Sequence, residues 1–463
     1  MKRSLHEQMR GTFILMSLLS LLAGPRAVGG QTALPPRVIV GYWHNFNNGS
    51  SYIPLSSVPA AYDVIDVSFA VPTAYLGATM TFTPDPGLYP NAQSFISDVT
   101  TLQAKGKKVL ISIGGANGPV QVKSATDVQS FVASMKSIIT TYGFDGIDID
   151  LEGASLSLQQ GDTDFQAPNT PGIVYFITAI QQLLLQFPGG LMLTMAPETA
   201  FVQGGAGAYA GVFGAYLPVI HALRNQLTFI HVQHYNSGSM FGRDGEIYQP
   251  GTADFHVAMA DALIAGFKVR STSTTTFPGL PAEKVLVGVP ASADAAGSGY
   301  TSDATLQDAL TYLYTGKGYG GRYTLANAKG YPTFRGVMTW SINWDVYHAQ
   351  TWSKAQRSFL DNVVSSVGGE VDGVVGRKAV LEQNFPNPFN PGTSIRYMVP
   401  TEGRVSLRVY DTLGRYVATL VDGVEGAGMH DVWFDGRGYA SGVYFYTLRV
   451  GDVAETKMLH LMK

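Results

Sequence analysis

The sequence predicts a closed (β/α)8 TIM barrel followed by a small all-β sandwich. Eight short apolar runs recur between Arg37 and Ser365, most of them separated by stretches with helical periodicity. Such alternation implies a parallel sheet, and eight repeats over about 330 residues imply that the sheet closes on itself. After Ser365 the pattern changes to short alternating segments with turn residues at close spacing, which argues for packed antiparallel sheets.

The chain begins with Lys2, Arg3 and Arg10 ahead of an apolar run from Phe13 to Ala23 and the small residues Ala27-Val28-Gly29-Gly30. Residues 1–30 therefore read as a secretory signal peptide, with a buried N-terminal helix as the alternative. The run is too short to span a bilayer as a mature helix, and no other window approaches that length. The expected mature product is soluble and exported, without a transmembrane segment. The barrel is expected over residues 36–366. Its strands are Val38–Tyr42, Val64–Ala70, Lys108–Ile113, Gly146–Glu152, Leu191–Ala196, Phe229–Tyr235, Lys284–Val289 and Gly336–Ile342. Helix-like segments include Thr126–Tyr142, Ile173–Phe187, Ala253–Phe267 and Ala304–Tyr314. An open doubly wound sheet is the competing architecture. It would normally carry a glycine-rich phosphate turn after its first strand, where this chain has Gly41-Tyr42-Trp43-His44.

Residues 367–379, rich in glycine and valine from Val367 to Arg377, read as a linker. The last module, 380–463, opens with Leu381–Pro391, which its prolines keep from being helical. Alternating segments follow at Ser394–Met398, Arg404–Tyr410, Met429–Phe434 and Gly442–Val450.

Composition narrows the function. Hydrophobic residues make up 45% of the chain and charged ones 14%, and the net charge of −3 favours neither nucleic acid nor an anionic membrane as partner. Uncharged substrates fit better. With no cysteine, neither disulfides nor thiol chemistry enters.

Barrel enzymes place their sites at the C-terminal ends of the strands. Those ends carry Tyr42, Trp43, Ser68, Gly114, Gly115, Asp150, Glu152, Pro197, Glu198, Tyr235, Asn236, Pro290 and Trp340. The stretch Phe144–Gly153 stands out. At the two-residue period of a strand Asp148, Asp150 and Glu152 share one face, about 6–7 Å apart, with Ile147, Ile149 and Leu151 on the other. Like charges at that spacing repel, so at least one carboxyl is expected to hold its proton well above its usual pKa. Glu152, at the barrel mouth, suits a general acid that later acts as base. A magnesium site and a structural ion-pair cluster are the alternatives. Calcium fits poorly, because the spacers between the acids are aliphatic.

If the reaction is glycoside hydrolysis, two carboxyls normally flank the scissile bond from opposite sides. Asp150 shares a strand face with Glu152 and is badly placed for attack from the far side. Glu198 and Asp345 are other candidates that nothing in the sequence singles out. The remaining route uses a 2-acetamido group of the substrate as the nucleophile.

Phe144–Glu152 resembles the DxxDxDxE signature of glycoside hydrolase family 18, the chitinases and related endo-β-N-acetylglucosaminidases. Ser112-Ile113-Gly114-Gly115 is similar to the family's SxGG motif, and Met195–Glu198, Gln233–Asn236 and Met338–Ser341 resemble its motifs on the fifth, sixth and eighth strands. The resemblance implies that Glu152 protonates the glycosidic oxygen and then activates water. It further implies that Asp150 orients the acetamido group and steadies the oxazolinium ion, with Asp148 sharing a proton or hydrogen bond with Asp150. Tyr235 would bind the acetamido oxygen, Trp340 would floor the sugar site, and Gln233, Asn236, Glu198, Tyr42 and Gly115 would contact sugar. Asp145 and Ser112 would shape the site. No metal and no cofactor is implied. The terminal acid, absent from lectin-like relatives, is present, and Leu151 stands where relatives acting on N-glycans often carry an acid. Chitin or its oligosaccharides are therefore the expected substrate, hydrolysed by a monomer, with N-glycan cleavage and non-hydrolytic chitin binding as alternatives. The short interval Pro290–Gly336 resembles compact bacterial chitinases without an α+β insertion.

Gln383–Pro391, Val409-Tyr410-Asp411, Gly414-Arg415, Ser441–Phe445 and Lys457-Met458 resemble the sorting domain of the type IX secretion system. That implies an immunoglobulin-like sandwich, the type IX machinery as partner and a secreted or cell-surface location. A carbohydrate-binding module using Trp433, Tyr444, Phe445 and Tyr446 is the alternative.

Overall fold

The computed structural model describes residues 34–270, 275–367, 379–384, 386–399, 403–426, 428–451 and 453–462. The predicted signal peptide and all but the two ends of the predicted linker lie outside them. The chain divides into two compact units, Met1–Val364 and Ser365–Lys463.

The first unit is the barrel. Its strands are β1 (Val38–His44), β2 (Val64–Pro72), β3 (Lys108–Gly114), β4 (Gly146–Asp150), β5 (Met192–Met195), β6 (Phe229–Gln233), β7 (Val285–Pro290) and β8 (Gly336–Trp340). Each pairs in parallel with the next, and β8 pairs with β1 to close the ring. Runs such as Val38-Ile39-Val40 and Val109-Leu110-Ile111 form strands because they are buried on both faces, by the barrel interior and by the helices outside.

Several of the helices that follow the strands start at a side-chain cap. The side chains of Asn91, Ser124, Thr252 and Ser302 accept from the backbone N–H three residues on, starting Ala92–Ala104, Ala125–Tyr142, Ala253–Ala265 and Asp303–Thr315. Gly143, at φ 73°, stops the second of these and turns the chain directly into β4. The connection from β7 to β8 holds one α-helix, Asp303–Thr315, among the described residues.

Four strands are shorter than their periodicity predicts: β5 and β6 stop at Met195 and Gln233 rather than Ala196 and Tyr235, and β4 and β8 stop at Asp150 and Trp340 rather than Glu152 and Ile342. β4 ends at Asp150, because the N–H of Leu151 goes to the Tyr216 hydroxyl at 2.7 Å instead of a neighbouring strand. β8 ends at Trp340, because Ser341 caps the helix Ile342–Tyr347. Glu152 thus stands beyond the ladder, in the turn that opens on the barrel mouth.

Inside the ring, Val38, Val40, Val64, Leu110, Phe229, Leu286 and Met338 form an apolar plug. Leu110 is the register partner of Gly146; two residues on, Asp148 is the register partner of Ser112 on one side and Thr194 on the other, and the three form a polar layer. Strand alternation puts both layers on the interior face.

The second unit is a β-sandwich. Its strands are β9 (Val380–Leu381), β10 (Gly392–Val399), β11 (Gly403–Asp411), β12 (Tyr416–Glu425), β13 (Gly428–Asp435), β14 (Gly442–Val450) and β15 (Val453–Leu461). They form antiparallel sheets in the orders β9-β10-β13 and β12-β11-β14-β15. Ile395, Tyr397 and Val399 from one sheet pack with Val405, Leu407 and Val409 from the other, each set at the two-residue period. Tyr444 and Tyr446 belong to this core, whereas Trp433 is 62% exposed. The four aromatics therefore do not share one open face, as a sugar-binding surface would need.

Candidate active site

Asp148 lies at the centre of the polar layer and is fully buried. Its Oδ2 accepts from the Tyr42 hydroxyl at 2.6 Å and from Ser112 Oγ at 2.8 Å; its Oδ1 accepts from Thr194 Oγ1 at 2.7 Å. His231 Nε2 stands 3.2 Å from Oδ1. Burial works to raise the Asp148 pKa, but His231 and the hydrogen bonds from Tyr42 and Thr194 outweigh it and hold the carboxyl below its usual range. Asp66, also fully buried, goes the other way: burial and the Asp148 charge push it well up.

Asp66, Asp148 and His231 bring three potential ligand atoms within 4.8 Å of one another. Both Asp148 oxygens already accept protein hydrogens, and none of the three residues reaches solvent. The trio has the donors of a hydrogen-bonded core, which suits protons better than a divalent ion.

Above it, Asp150 turns toward the mouth. Gln233 Nε2 donates to Asp150 Oδ1 at 2.9 Å, to Glu152 Oε1 at 3.0 Å and to the Ala196 carbonyl at 3.0 Å. Burial, then the charges of Glu152 and Asp148, push Asp150 well above the carboxylate range. Burial raises Glu152 too, against the opposing hydrogen bonds from Gln233 and Asp150. These causes favour the protonated form of Asp150, with Glu152 as its neighbour in the hydrogen-bonded pair. This corrects the expected Asp148–Asp150 hydrogen bond: Asp148 is held by Tyr42, Ser112, Thr194 and His231, and the partners of Asp150 are Glu152 and Gln233.

A cavity of about 460 Å³ opens over this pair. Glu152, Glu198, Gln233, Tyr235 and Asn236 line one side, from β4, β5 and β6; Phe46, Ser68, Phe69 and Trp340 line the other, from β1, β2 and β8. Trp340 lies nearly parallel to Phe69, 15° between planes with centroids 6.0 Å apart, and touches His44 and Tyr42 behind it. Burial and the nearby carboxyls hold the Tyr235 phenol well above its usual pKa, so it remains an O–H donor. Burial and Glu152 push Glu198 up to about 7.

Three expected sugar contacts are placed otherwise. Tyr42 is buried beneath Trp340, with its hydroxyl committed to Asp148, and is not part of the lining. Gly115 also lies outside the lining; its N–H donates to the Asp150 carbonyl at 2.7 Å, and at φ 70° a Cβ would come within 2.8 Å of Phe69. Gln233 does line the cavity, but its amide is engaged by the two acids. Asn236 faces the cavity while its Oδ1 accepts from Ser298 N at 3.1 Å, tying in the loop after β7. Asp145 accepts from Val109 N at 2.9 Å and pairs with Lys108 at the opposite end of the strands. Asp345 is fully buried, accepting from Tyr62 and from Ser353 N.

Sequence reasoning missed His231, Thr194, Asp66 and Phe69. The available signal was strand alternation: Thr194 and His231 each interrupt an apolar strand at an inward position.

Residues 38–366 match the profile of Glycosyl hydrolases family 18. "Chitinase Chi52" of Paenibacillus xylanexedens is 54% identical over 333 residues, 72% of this chain and 63% of that protein. "Chitinase D" of Niallia circulans is 54% identical over 334 residues with the same coverage, so the chain spans under two thirds of either relative. A solved family GH18 chitinase from Chromobacterium violaceum superposes with a TM-score of 0.65 at 42% identity, covering 72% of this chain and 85% of that one. With its barrel, its acidic fourth strand and this match over most of its length, the chain belongs to family 18 of the glycosyl hydrolases.

Proposed function

We propose that the chain is an exported chitinase that hydrolyses β-1,4 bonds between N-acetylglucosamine units with retention, using the substrate's own acetamido group as nucleophile. The observation that carries this reading is the asymmetry of the cavity. Both lining carboxyls, Glu152 and Glu198, lie on the β4–β6 side, whereas the opposite side presents Phe46, Ser68, Phe69 and Trp340. A protein nucleophile attacking from across the sugar would need a carboxylate there.

In the proposed sequence Glu152 gives its proton to the glycosidic oxygen as that bond to the anomeric carbon breaks. The acetamido carbonyl oxygen bonds to the same carbon, closing an oxazolinium ring and placing positive charge on the acetamido group. Tyr235, kept neutral, donates to that oxygen before attack, which positions it. Asp150 sits beside the developing charge: as Glu152 loses its proton, the Asp150 proton shifts toward it and negative charge spreads to Asp150, and that proton returns to Asp150 when Glu152 takes one from water. Water then attacks the anomeric carbon, giving its proton to Glu152, and the ring opens. Trp340 offers a flat floor to the apolar face of the sugar.

For export, the basic-apolar start of the chain and a C-terminal sandwich with the Gln383–Pro391 and Ser441–Phe445 motifs support a signal peptide and type IX sorting. The mature termini of the exported protein, read by mass spectrometry, check this; an intact N-terminus would refute it. Glu152→Gln should abolish release of chitobiose from chitin hexamer, chitobiose-thiazoline should inhibit the wild type, and the first product should be the β-anomer by NMR. Equal cleavage of a fully deacetylated oligomer, which lacks the nucleophile, would overturn the mechanism.

A further inference from the structure

Two fully buried titratable residues take no part in that sequence, yet they stand against its supporting carboxylate. His231 Nε2 is 3.2 Å from Asp148 Oδ1 and 3.5 Å from Asp66 Oδ2. Among the described residues neither Asp66 oxygen and neither His231 nitrogen makes a hydrogen bond of good geometry, so these short distances are charge contacts. A core seldom tolerates such groups without a role, since a buried unpaired polar atom costs about 1–3 kcal/mol.

We propose that Asp66 and His231 are positioning residues of this reaction: with the imidazole held between two carboxyls, they keep the negative charge on Asp148 and thereby direct the Asp150 proton toward Glu152. The inference rests on the chitinase reading and extends it one layer into the barrel.

The proton count explains how. A neutral Asp66 beside a neutral imidazole, and an ionised Asp66 beside an imidazolium, differ only by one proton moved within the trio. Both arrangements give a net charge of −1, and both leave Asp148 charged. The surroundings favour that charge. Tyr42 from β1, Ser112 from β3 and Thr194 from β5 all donate to Asp148, while β7 and β8 contribute the apolar Leu286 and Met338 to the interior. The Tyr42 and Phe229 rings pack at 6.0 and 5.9 Å from the His231 ring and keep water away. The Asp148 charge is in turn one of the causes that hold the proton on Asp150. Remove His231, and burial acts on Asp148 with less opposition. Asp148 then takes up a proton at a higher pH, and the push on Asp150 fades with it.

The test uses the full chain. In His231→Gln the acid limb of the kcat/KM profile on a chromogenic chitobioside should move up by about one pH unit, with KM within about twofold and kcat near neutrality about tenfold down. Asp66→Asn, near-isosteric but unable to ionise, should move the limb the same way by less. A uniform loss at every pH, or an unmoved limb in variants with wild-type melting temperature, overturns the proposal. Imidazole nitrogen NMR of the resting wild-type protein provides an arm independent of turnover. His231 Nε2 should carry a hydrogen toward Asp148, and an Nε2 without one overturns the proposal even if the enzyme cleaves chitin. A wild type inert on chitin hexamer would sink the chitinase reading alone, leaving the NMR arm to decide.

Discussion

Replacing Gln233 by methionine isolates the link between the two catalytic-side acids. The amide has two hydrogens and three acceptors within 3.0 Å: Asp150, Glu152 and the Ala196 carbonyl. Methionine fills nearly the same volume and donates nothing. A hydrogen bond to a charged group contributes about 1.5–3 kcal/mol. Because Asp150 and Glu152 remain hydrogen-bonded to each other, the loss should approach one such bond, about 2–3 kcal/mol, or roughly 30- to 150-fold in kcat/KM. The sign of the pH effect follows from the same contact. Gln233 favours charged Glu152, so removing it raises the Glu152 pKa further, and the acid form persists to higher pH. The alkaline limb of kcat/KM should therefore shift upward while peak activity falls. Steady-state kinetics on a chromogenic chitobioside across pH, with a thermal melt as fold control, measures both. Activity within threefold of wild type, or a limb that moves down in a folded variant, would refute the assignment of Gln233 as the residue that orients the acid pair.

Glu198→Gln removes a carboxyl that ionises at about 7 beside Glu152. Without that neighbouring charge Glu152 gives up its proton sooner, so the alkaline limb should move down by about half a unit to one unit; an unchanged limb would show that the two do not interact. His256, buried and 3.1 Å from His234 through their Nδ1 atoms, has its pKa pushed down by burial to about 4. A depressed histidine contributes stability above its unfolded pKa near 6.5, and that stability is lost as pH falls toward 4. His256→Asn should accordingly flatten the acid-side decline in unfolding free energy, by up to about 3 kcal/mol between pH 7 and 4. Denaturant titrations at the two pH values check it, and an unaltered decline would contradict the burial argument.

The barrel was legible in the sequence because each strand is a short apolar run and most are followed by a helix with its own polar cap. Glu152 was legible as an acid, but not as a residue of the turn: Asp148-Ile149-Asp150-Leu151-Glu152 keeps perfect alternation past the point where Tyr216 captures the Leu151 N–H. A hydroxyl 65 residues away in sequence leaves no trace in local periodicity. The same holds for Asp66 and His231, lone polar residues in apolar strands that meet Asp148 only through barrel register. Tyr42 and Gly115 show the converse. Both sit at the correct rim, yet one is sealed under Trp340 and the other holds backbone close to Phe69, distinctions that depend on depth below the mouth.

Closure of the ring by β1 and β8 has a consequence for the order in which the site can come into being. Asp148 depends on Tyr42 from the first strand, and the floor depends on Trp340 from the last, 298 positions apart and brought together by the pairing of Gly41 with Thr339. A nascent chain that has emerged only as far as Glu152 holds the acids without their support or their floor. The site is therefore complete only when the eighth strand docks against the first.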